Sequence, residues 1–273
     1  MDNERGGLRL RGGELEQIFE AKGSFDTKEW EAFLEALEAG KIGASRKNPS
    51  GIWEAVSWVK RAILSGFKAG GIAEWEWPGG ACDRPAFPPR RFVGADGVRV
   101  VPGGSSARRG SHIAAGVVIM PPSYINVGAS IGSGSMVDSH VLVGSCAWIG
   151  SRVHLSAGVQ VGGVMEPPQA RPVVIEDGAF IGGLCGVFEG IVVGQNAVLA
   201  PGLIISASTR IFDLVQEKEW QGEVPPGAVV VPGARPARGS WAQERGLSLQ
   251  APVIVKYRDS DTDASVVLEA ALR

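Results

Sequence analysis

A six-residue period dominates the middle of this sequence. Between residues 113 and 211 an aliphatic residue returns at every sixth position, with one slip of phase between Val161 and Ile175. The next residue is usually small or polar, and a small or β-branched residue usually stands four places after each aliphatic position. The aliphatic positions are Ile113, Ile119, Ile125, Ile131, Val137, Val143, Ile149, Leu155, Val161, Ile175, Ile181, Val187, Val193, Leu199, Ile205 and Ile211.

This period predicts a stack of triangular coils. Six residues make one short strand and one corner, so three hexapeptides close a coil of about 18 residues with its large aliphatic side chains inside. Stacked coils place like side chains above one another and bury a column that no single coil could bury. We therefore expect a mainly β protein built on a left-handed parallel β-helix, an exception to the right-handed crossover of parallel strands.

The flanking segments predict three parts. Apolar stripes at helical spacing predict a helical N-terminal domain with a Gly-, Pro- and Trp-rich linker over residues 1–97. The coil is expected over residues 98–231, and a small strand and helix extension over residues 232–273.

Local signals add detail to these parts. The D-x-x-E run from Asp26 to Glu29 predicts a capping box, and a later helical stripe starts at Trp53. Near the C-terminus we expect a loop at 232–240, a strand at 251–257 and a helix at 264–272.

The phase slip predicts a loop thrown out of the coil at residues 162–174. Its glycines and prolines cannot continue the strands and corners of the column. Because the core does not need such a loop, we expect it to carry function.

Charge and cysteine content exclude several classes of protein. The net charge is −2, from 27 basic and 29 acidic residues, so a nucleic-acid partner is not expected. No run of 18 apolar residues and no apolar leader stand in the sequence, which favours a soluble protein without a membrane span. The cysteines, Cys82, Cys146 and Cys185, fit neither a disulfide framework nor a metal site and favour a cytoplasmic location.

A β-helix carbonic anhydrase is also disfavoured. It would need three metal-binding histidines, two of them in an H-x₄-H pair. The three histidines here, His112, His140 and His154, have the wrong spacing, so no metal is expected.

A set of motifs lies in and beside the repeat. They are Val98–Pro102, Met120–Gly128, Gly134–Asp138, Val143–Ala147, Val153–Ser156, Gly162–Pro167, Ile175–Asp177 and Ser208–Ile211. These motifs resemble those of the tetrahydrodipicolinate N-succinyltransferase family of the lysine/diaminopimelate pathway. The resemblance implies a homotrimer with active sites in grooves between neighbouring columns. It also implies acyl-CoA as cosubstrate, with no permanently bound cofactor, and an amino-dicarboxylate acceptor.

The resemblance implies roles for individual residues. Asp138 matches the catalytic, substrate-contacting aspartate, whose carboxylate would accept the proton of the attacking amine. Without the resemblance, the pattern favours a corner residue that caps local N–H groups. Arg99 matches an arginine that binds an acceptor carboxylate, a task that suits its planar fork.

Cofactor-binding candidates come from the loop and the C-terminal part. Gly162 and Gly163 would let a thioester approach the backbone closely, although turn geometry alone also explains them. Arg210 and Lys256 are candidates for the CoA phosphates.

The sequence departs from the family pattern at three positions. Leu184 and Gly186 stand where the family usually carries an arginine and a catalytic glutamate, and His140 replaces a tryptophan. If residues 138 and 140 share one side of a strand, His140 could serve as the proton acceptor beside Asp138. An exposed corner histidine is the plain alternative.

These departures leave the acyl donor open between succinyl-CoA and acetyl-CoA. Loss of a cation removes a partner for a carboxylate, which could belong to the acceptor or to a succinyl chain. The resemblance therefore extends to a diverged branch of the family in tabtoxin biosynthesis. A catalytically impaired CoA-binding homologue with a structural or regulatory role is the alternative.

Overall fold

The computed structural model describes residues 10–76 and 80–258, and it begins with three packed helices. They are α1 (Gly12–Lys22), α2 (Thr27–Glu38) and α3 (Ser57–Lys68). The predicted capping box of α2 is confirmed: Asp26 Oδ1 accepts from the amide of Glu29 at 2.9 Å, and Glu29 Oε2 accepts from the amide of Asp26 at 2.9 Å. The apolar faces of these helices meet in one buried cluster, which also contains Val127 and Cys146 of the coil.

Two short hairpins lie where the sequence suggested helix and linker. The expectation that the third helical segment includes Trp53 is wrong, because α3 begins at Ser57 and Trp53 lies in a strand. Asn48 explains this, since its side chain accepts the amides of Ser50 and Ile52 at 3.0 Å each and closes a turn. The strands of the hairpins are β1 (Ser45–Lys47), β2 (Trp53–Ala55), β3 (Ala73–Trp75) and β4 (Ala81–Asp83), and a 3₁₀ turn follows at Gly94–Asp96.

The rest of the described chain is built from short strands, most of them two residues long. In chain order they are β5 (Arg99–Val100), β6 (Ser106–Ala107), β7 (His112–Ile113), β8 (Val118–Ile119), β9 (Tyr124–Ile125), β10 (Ser130–Ile131), β11 (Met136–Val137), β12 (Leu142–Val143), β13 (Trp148–Ile149), β14 (His154–Leu155), β15 (Gln160–Val161), β16 (Val174–Ile175), β17 (Phe180–Ile181), β18 (Gly186–Val187), β19 (Val192–Val193), β20 (Val198–Leu199), β21 (Ile204–Ile205), β22 (Arg210–Asp213), β23 (Lys218–Gln221), β24 (Glu223–Val224), β25 (Ala228–Pro236) and β26 (Ser248–Tyr257).

These strands stack into three parallel faces. The first face runs β5-β8-β11-β14-β17-β20-β25, the second β6-β9-β12-β15-β18-β21, and the third β7-β10-β13-β16-β19-β24. Most consecutive strands of one face lie 18 residues apart, as when Ser130 pairs with Trp148. The mainly β, parallel coil predicted from the period is therefore confirmed.

The column inside the coil contains the aliphatic residues of the period. All sixteen are at most 4% exposed. The paired strands place them in register, as when Val137 lies against Ile119 on one side and Leu155 on the other. Each coil thus buries its apolar side chains only because a neighbouring coil covers them.

The predicted loop leaves the column after β15 and returns at β16. Trp148 pairs with Val174 rather than with a residue 18 places on, because the loop adds eight residues to that coil. Beyond the loop the stacking continues, and β15 still pairs with β18 in register.

The C-terminal strands close the top of the first face. Strand β25 pairs antiparallel with β26 and runs to Pro236, so the loop expected from residue 232 begins later than predicted. Asp213 ties this region together, since its carboxylate accepts from the Trp220 ring N–H at 3.0 Å and the Tyr257 hydroxyl at 2.5 Å. A short helix, α4 (Ser240–Glu244), connects β25 to β26, and the helix predicted at 264–272 lies outside the described residues.

No helix in the described part of the chain is long and apolar enough to cross a membrane. Over the same residues, no group of three or more His, Cys, Asp and Glu side chains is placed to hold a metal ion.

Candidate active site

Asp138 lies at the corner between the first and second faces, immediately after β11. One carboxylate oxygen, Oδ1, accepts the amide of Ser139 at 2.7 Å, and the Asp138 carbonyl accepts the Ser123 hydroxyl at 2.7 Å. The other oxygen takes no hydrogen bond from any described residue. The half-buried carboxylate is thus held by its corner with one oxygen available to an external donor.

His154 is a neighbour of Asp138 that sequence reasoning does not single out for chemistry. It lies on β14, beside Met136 of β11, and its ring packs on Phe180 with centroids 5.1 Å apart. Burial lowers the pKa of His154 below its ordinary value, and the negative charge of Asp138 partly opposes that shift. A mainly neutral imidazole therefore lies within electrostatic range of the Asp138 carboxylate. The signal was the outward position of His154 in its hexapeptide, one coil beyond Met136.

His140 is exposed in the turn that follows Asp138. The strand alternation expected for residues 138 and 140 is wrong, because residues 139 and 140 form a turn and His140 has a φ of 62°. Its backbone carbonyl accepts the Gln160 side-chain amide at 3.1 Å, while its ring is left to solvent.

Arg99 is exposed at the start of the first face. It pairs with Val118, which in turn pairs with Met136, so two strand spacings, about 10 Å, separate Arg99 from Met136 along the coil axis. Arg99 and Asp138 thus lie on the same side of the coil without direct contact.

Gly162 and Gly163 begin the loop at the opposite edge of the second face. A Cβ on Gly162 would lie 2.8 Å from the Phe188 ring, and one on Gly163 would lie 2.7 Å from the amide nitrogen of Ser145. Only glycine fits at this close approach. The two glycines line a cleft of about 550 Å³, called here the loop cleft, with Val164, Glu166, Ala170, Phe188 and Glu189.

Residues 184–188 explain how the coil accommodates its departures from the family pattern. A side chain at Gly186 would collide with the Phe188 ring and would come within 2.8 Å of Ile204 Cδ1. Phe188 therefore fills the room that a side chain at position 186 would need. Leu184 is 73% exposed at a corner, so its side chain does not compete for room inside the coil.

The C-terminal candidates are separated in the structure. Arg210 lines a cleft of about 590 Å³, the arginine cleft, while Lys256 lies opposite Val229, about 23 Å along β26 from Leu249. Sequence reasoning does not single out Arg235 and Arg238, although an R-P-A-R run in a loop was a signal. The arginine cleft is lined by Arg210, Phe212, Glu219, Arg235, Pro236, Ala237, Arg238 and Leu249.

In the described chain the candidate catalytic and thioester-binding residues therefore lie around the second face. Asp138 lies at one edge of that face and the loop cleft at the other, so a single chain does not bring the two together. The arginine cleft lies at the C-terminal end of the coil.

Comparisons with known proteins show what this chain is similar to. A family model described as the hexapeptide repeat of succinyl-transferase matches residues 172–207. The 2,3,4,5-tetrahydropyridine-2,6-dicarboxylate N-succinyltransferase of Polynucleobacter asymbioticus is 44% identical over 255 residues, which cover 89% of this chain and 88% of the relative. The enzyme of the same name from Parvibaculum lavamentivorans is 43% identical over 250 residues, which cover 88% of this chain and 87% of the relative.

Among solved structures, one from Campylobacter jejuni is described as a 2,3,4,5-tetrahydropyridine-2-carboxylate N-succinyltransferase. The two sequences are 15% identical, and the match covers 84% of this chain and 63% of the Campylobacter chain, with a TM-score of 0.49.

The repeat, the parallel coil and the family model define a hexapeptide-repeat protein. Identity above 40% over most of both chains specifies it further. The chain belongs to the family of 2,3,4,5-tetrahydropyridine-2,6-dicarboxylate N-succinyltransferases.

Proposed function

We propose that the protein transfers an acyl group from acyl-CoA to the nitrogen of tetrahydrodipicolinate or a related amino-dicarboxylate. The observation that carries this proposal is the corner carboxylate of Asp138 at the edge of the second face, where one oxygen accepts from Ser139 and the other takes no hydrogen bond from the described residues. The names of the curated relatives support the acceptor class and, with it, lysine/diaminopimelate synthesis. A tabtoxin-like branch of that pathway is the second proposal, and it rests on the departures at Leu184 and Gly186 alone.

In the proposed reaction with tetrahydrodipicolinate, water first adds across the C=N bond of the cyclic imine, so that the nitrogen carries a hydrogen; an amine such as 2-aminopimelate needs no such step. The acceptor nitrogen then attacks the thioester carbon. A C–N bond forms, the C–S bond breaks, and the CoA thiolate leaves. Asp138 accepts the proton of the nitrogen, a contribution of about 10²–10⁴ in rate, and the proton finally passes to the thiolate. Arg99 binds an acceptor carboxylate, and His140, which is exposed beside Asp138, is a second candidate proton acceptor.

The donor is proposed to lie along the coil. Gly162 and Gly163 admit the thioester end at the loop cleft. Arg210 and Lys256 bind the CoA phosphates, and Arg235 and Arg238, which line the same cleft as Arg210, are proposed to help.

Replacing Arg235 and Arg238 by Gln should raise the KM for acyl-CoA about 3–10-fold. The KM for an acyl-pantetheine donor, which lacks the nucleotide, should not change. Arg245→Gln, an exposed arginine outside the cleft, is the control.

The donor's acyl group stays open between succinyl and acetyl. CoA release should be measured with each donor on tetrahydrodipicolinate and on 2-aminopimelate. A preference above about tenfold for succinyl-CoA would exclude the acetyl donor. Binding of CoA without turnover of either amine would instead favour the catalytically impaired homologue.

We propose a homotrimer of left-handed coils, in which a neighbour brings Asp138 to the loop cleft. The position of Asp138 and the loop cleft on opposite edges of one face supports this arrangement. Mixed trimers of Asp138→Asn and Gly162→Val chains should recover activity that neither variant has alone. A monomer in light scattering, or no recovery on mixing, would contradict it.

Cysteine usage supports a cytoplasmic location. The described cysteines are all free, with Cys82 exposed and Cys146 and Cys185 buried, as expected under reducing conditions.

A further inference from the structure

Lys60 of α3 is fully buried, at 0% exposure, and points at the loop rather than at solvent. Its ammonium group donates to the carbonyl of Ala170 at 2.6 Å and to the carbonyl of Pro167 at 3.2 Å. More than 100 residues separate Lys60 from both acceptors. One helical side chain thus spans from the N-terminal helices to the loop.

The surroundings of Lys60 make its burial energetically unfavourable. None of the ion pairs among the described residues includes Lys60. Burial lowers the pKa of Lys60 below its ordinary value, and the nearby Cys146 partly opposes that shift. A buried charge is strongly unfavourable unless hydrogen bonds compensate for the lost water. The two loop carbonyls are the compensation that the structure provides.

The same loop has a second attachment on its far side. Arg171 donates from Nε to the carbonyl of Gly190 at 2.8 Å and from Nη2 to the carbonyl of Gly222 at 3.2 Å. Arg171 fastens the returning end of the loop to the coil, whereas Lys60 holds its middle. Ala170, which Lys60 binds, also lines the loop cleft.

We propose that Lys60 is a positioning residue through which the N-terminal helices set the shape of the loop cleft. Lys60 touches neither donor nor acceptor; it acts through the carbonyls of Pro167 and Ala170. This inference rests on the proposed function in taking the loop cleft as the site of the acyl-CoA thioester end. It gives the N-terminal helices a role in donor binding.

The first test uses the wild-type protein. If donor binding and the Lys60 contact are coupled, CoA must protect both the loop and the helix, because coupling between two sites is reciprocal. Amide exchange should slow by about tenfold or more in residues 162–173 and also in residues 57–64 when CoA is added. Protection of the loop without any change in the helix would overturn the inference. A lack of protection in the loop would count against the donor site itself.

The second test uses Lys60→Met, which fills a similar volume without a charge. The KM for acyl-CoA should rise about tenfold or more, whereas the KM for the amine should not change. Amides of residues 162–173 should exchange faster. Lys60→Arg, which can still donate to two carbonyls, should recover part of the KM. Lys68→Met, on the exposed end of the same helix, is the matched control.

The outcomes of the second test distinguish donor positioning from a purely structural role of Lys60. A stable Lys60→Met protein with an unchanged KM for acyl-CoA would show that Lys60 serves stability alone. Equal rises in the KM of both substrates would also contradict positioning of the donor. If Lys60→Met does not fold, the exchange measurement on the wild type decides. Absence of CoA release by the wild type with any amine would refute the proposed function and leave the exchange result to test Lys60.

Discussion

The column of the coil and the loop at residues 162–173 are stabilised in opposite ways. In the column each aliphatic side chain is covered by its counterpart one coil away, so many equivalent contacts contribute to stability. The loop is held by single contacts that occur once, above all those of Lys60 and Arg171. A repeat tolerates an inserted loop because the strands on both sides keep their register.

This difference separates stability from chemistry. A change in the column should alter unfolding and leave the reaction intact in molecules that remain folded. A change at the edges of the second face should do the reverse.

The largest effect is expected for Asp138→Asn. The amide cannot accept the proton, so kcat/KM should fall about 10²–10⁴-fold while the urea midpoint stays near that of the wild type. Asp177→Asn is the matched control, since Asp177 is also a corner aspartate and its Oδ1 accepts the amide of Ser151 at 2.9 Å. Activity of Asp138→Asn close to the wild-type level would remove the carboxylate from the mechanism.

Ile181→Ala should show the opposite pattern. Ile181 is fully buried in the column, and the cavity should lower the free energy of unfolding by about 2–5 kcal/mol. Urea denaturation measures this change. The control is Ile72→Ala, because Ile72 is 67% exposed. An equally large loss of kcat/KM in folded Ile181→Ala would show that column and site are not separable.

A smaller effect is expected where the two regions meet, at Gly186. Gly186→Ala should cost about 1–3 kcal/mol of stability, because the new methyl group collides with the Phe188 ring. In the Phe188→Val background the same change should cost clearly less. A double-mutant cycle by urea denaturation measures the coupling. Additive costs would mean that Phe188 is not what excludes a side chain at position 186.

The smallest effect concerns His154 and the pH. Its pKa is lowered in the folded state mainly by burial, so the unfolded chain binds more protons as the pH falls below the ordinary value of 6.5. Stability from this group is therefore present above that pH and is lost as the pH falls toward the lowered pKa. Unfolding free energies between about pH 7 and pH 5 should fall more steeply in the wild type than in His154→Gln. Parallel profiles would contradict this assignment.

Much of the coil could be read from residue spacing, because its contacts repeat with the period. The spacing of aliphatic residues from Ile113 to Ile211 predicted both the buried column and the place where the loop interrupts it. The N-terminal hairpins were harder, since Asn48 closes its turn with side-chain hydrogen bonds that compete with a helical stripe at Trp53.

The candidate site was predictable only residue by residue. Asp138 and Gly162 could be named from motifs, but spacing along a strand misplaced His140, whose corner has a left-handed backbone conformation. The proximity of His154 to Asp138 depends on which coils are neighbours. The grouping of Arg235 with Arg210 depends on how β25 and β26 fold back over the coil.

The sequence by itself determined the repeating architecture of this protein, because a period of six imposes the same inward position in every coil. Its motifs also determined the family. Only the tertiary structure decided that Phe188 occupies the room above Gly186 and that Lys60 reaches the loop carbonyls. Phe188 is only two residues from Gly186, but the direction of its ring depends on how the neighbouring coils pack. The Lys60 contacts join residues more than 100 positions apart that no local period relates, so they exist only once the chain has folded.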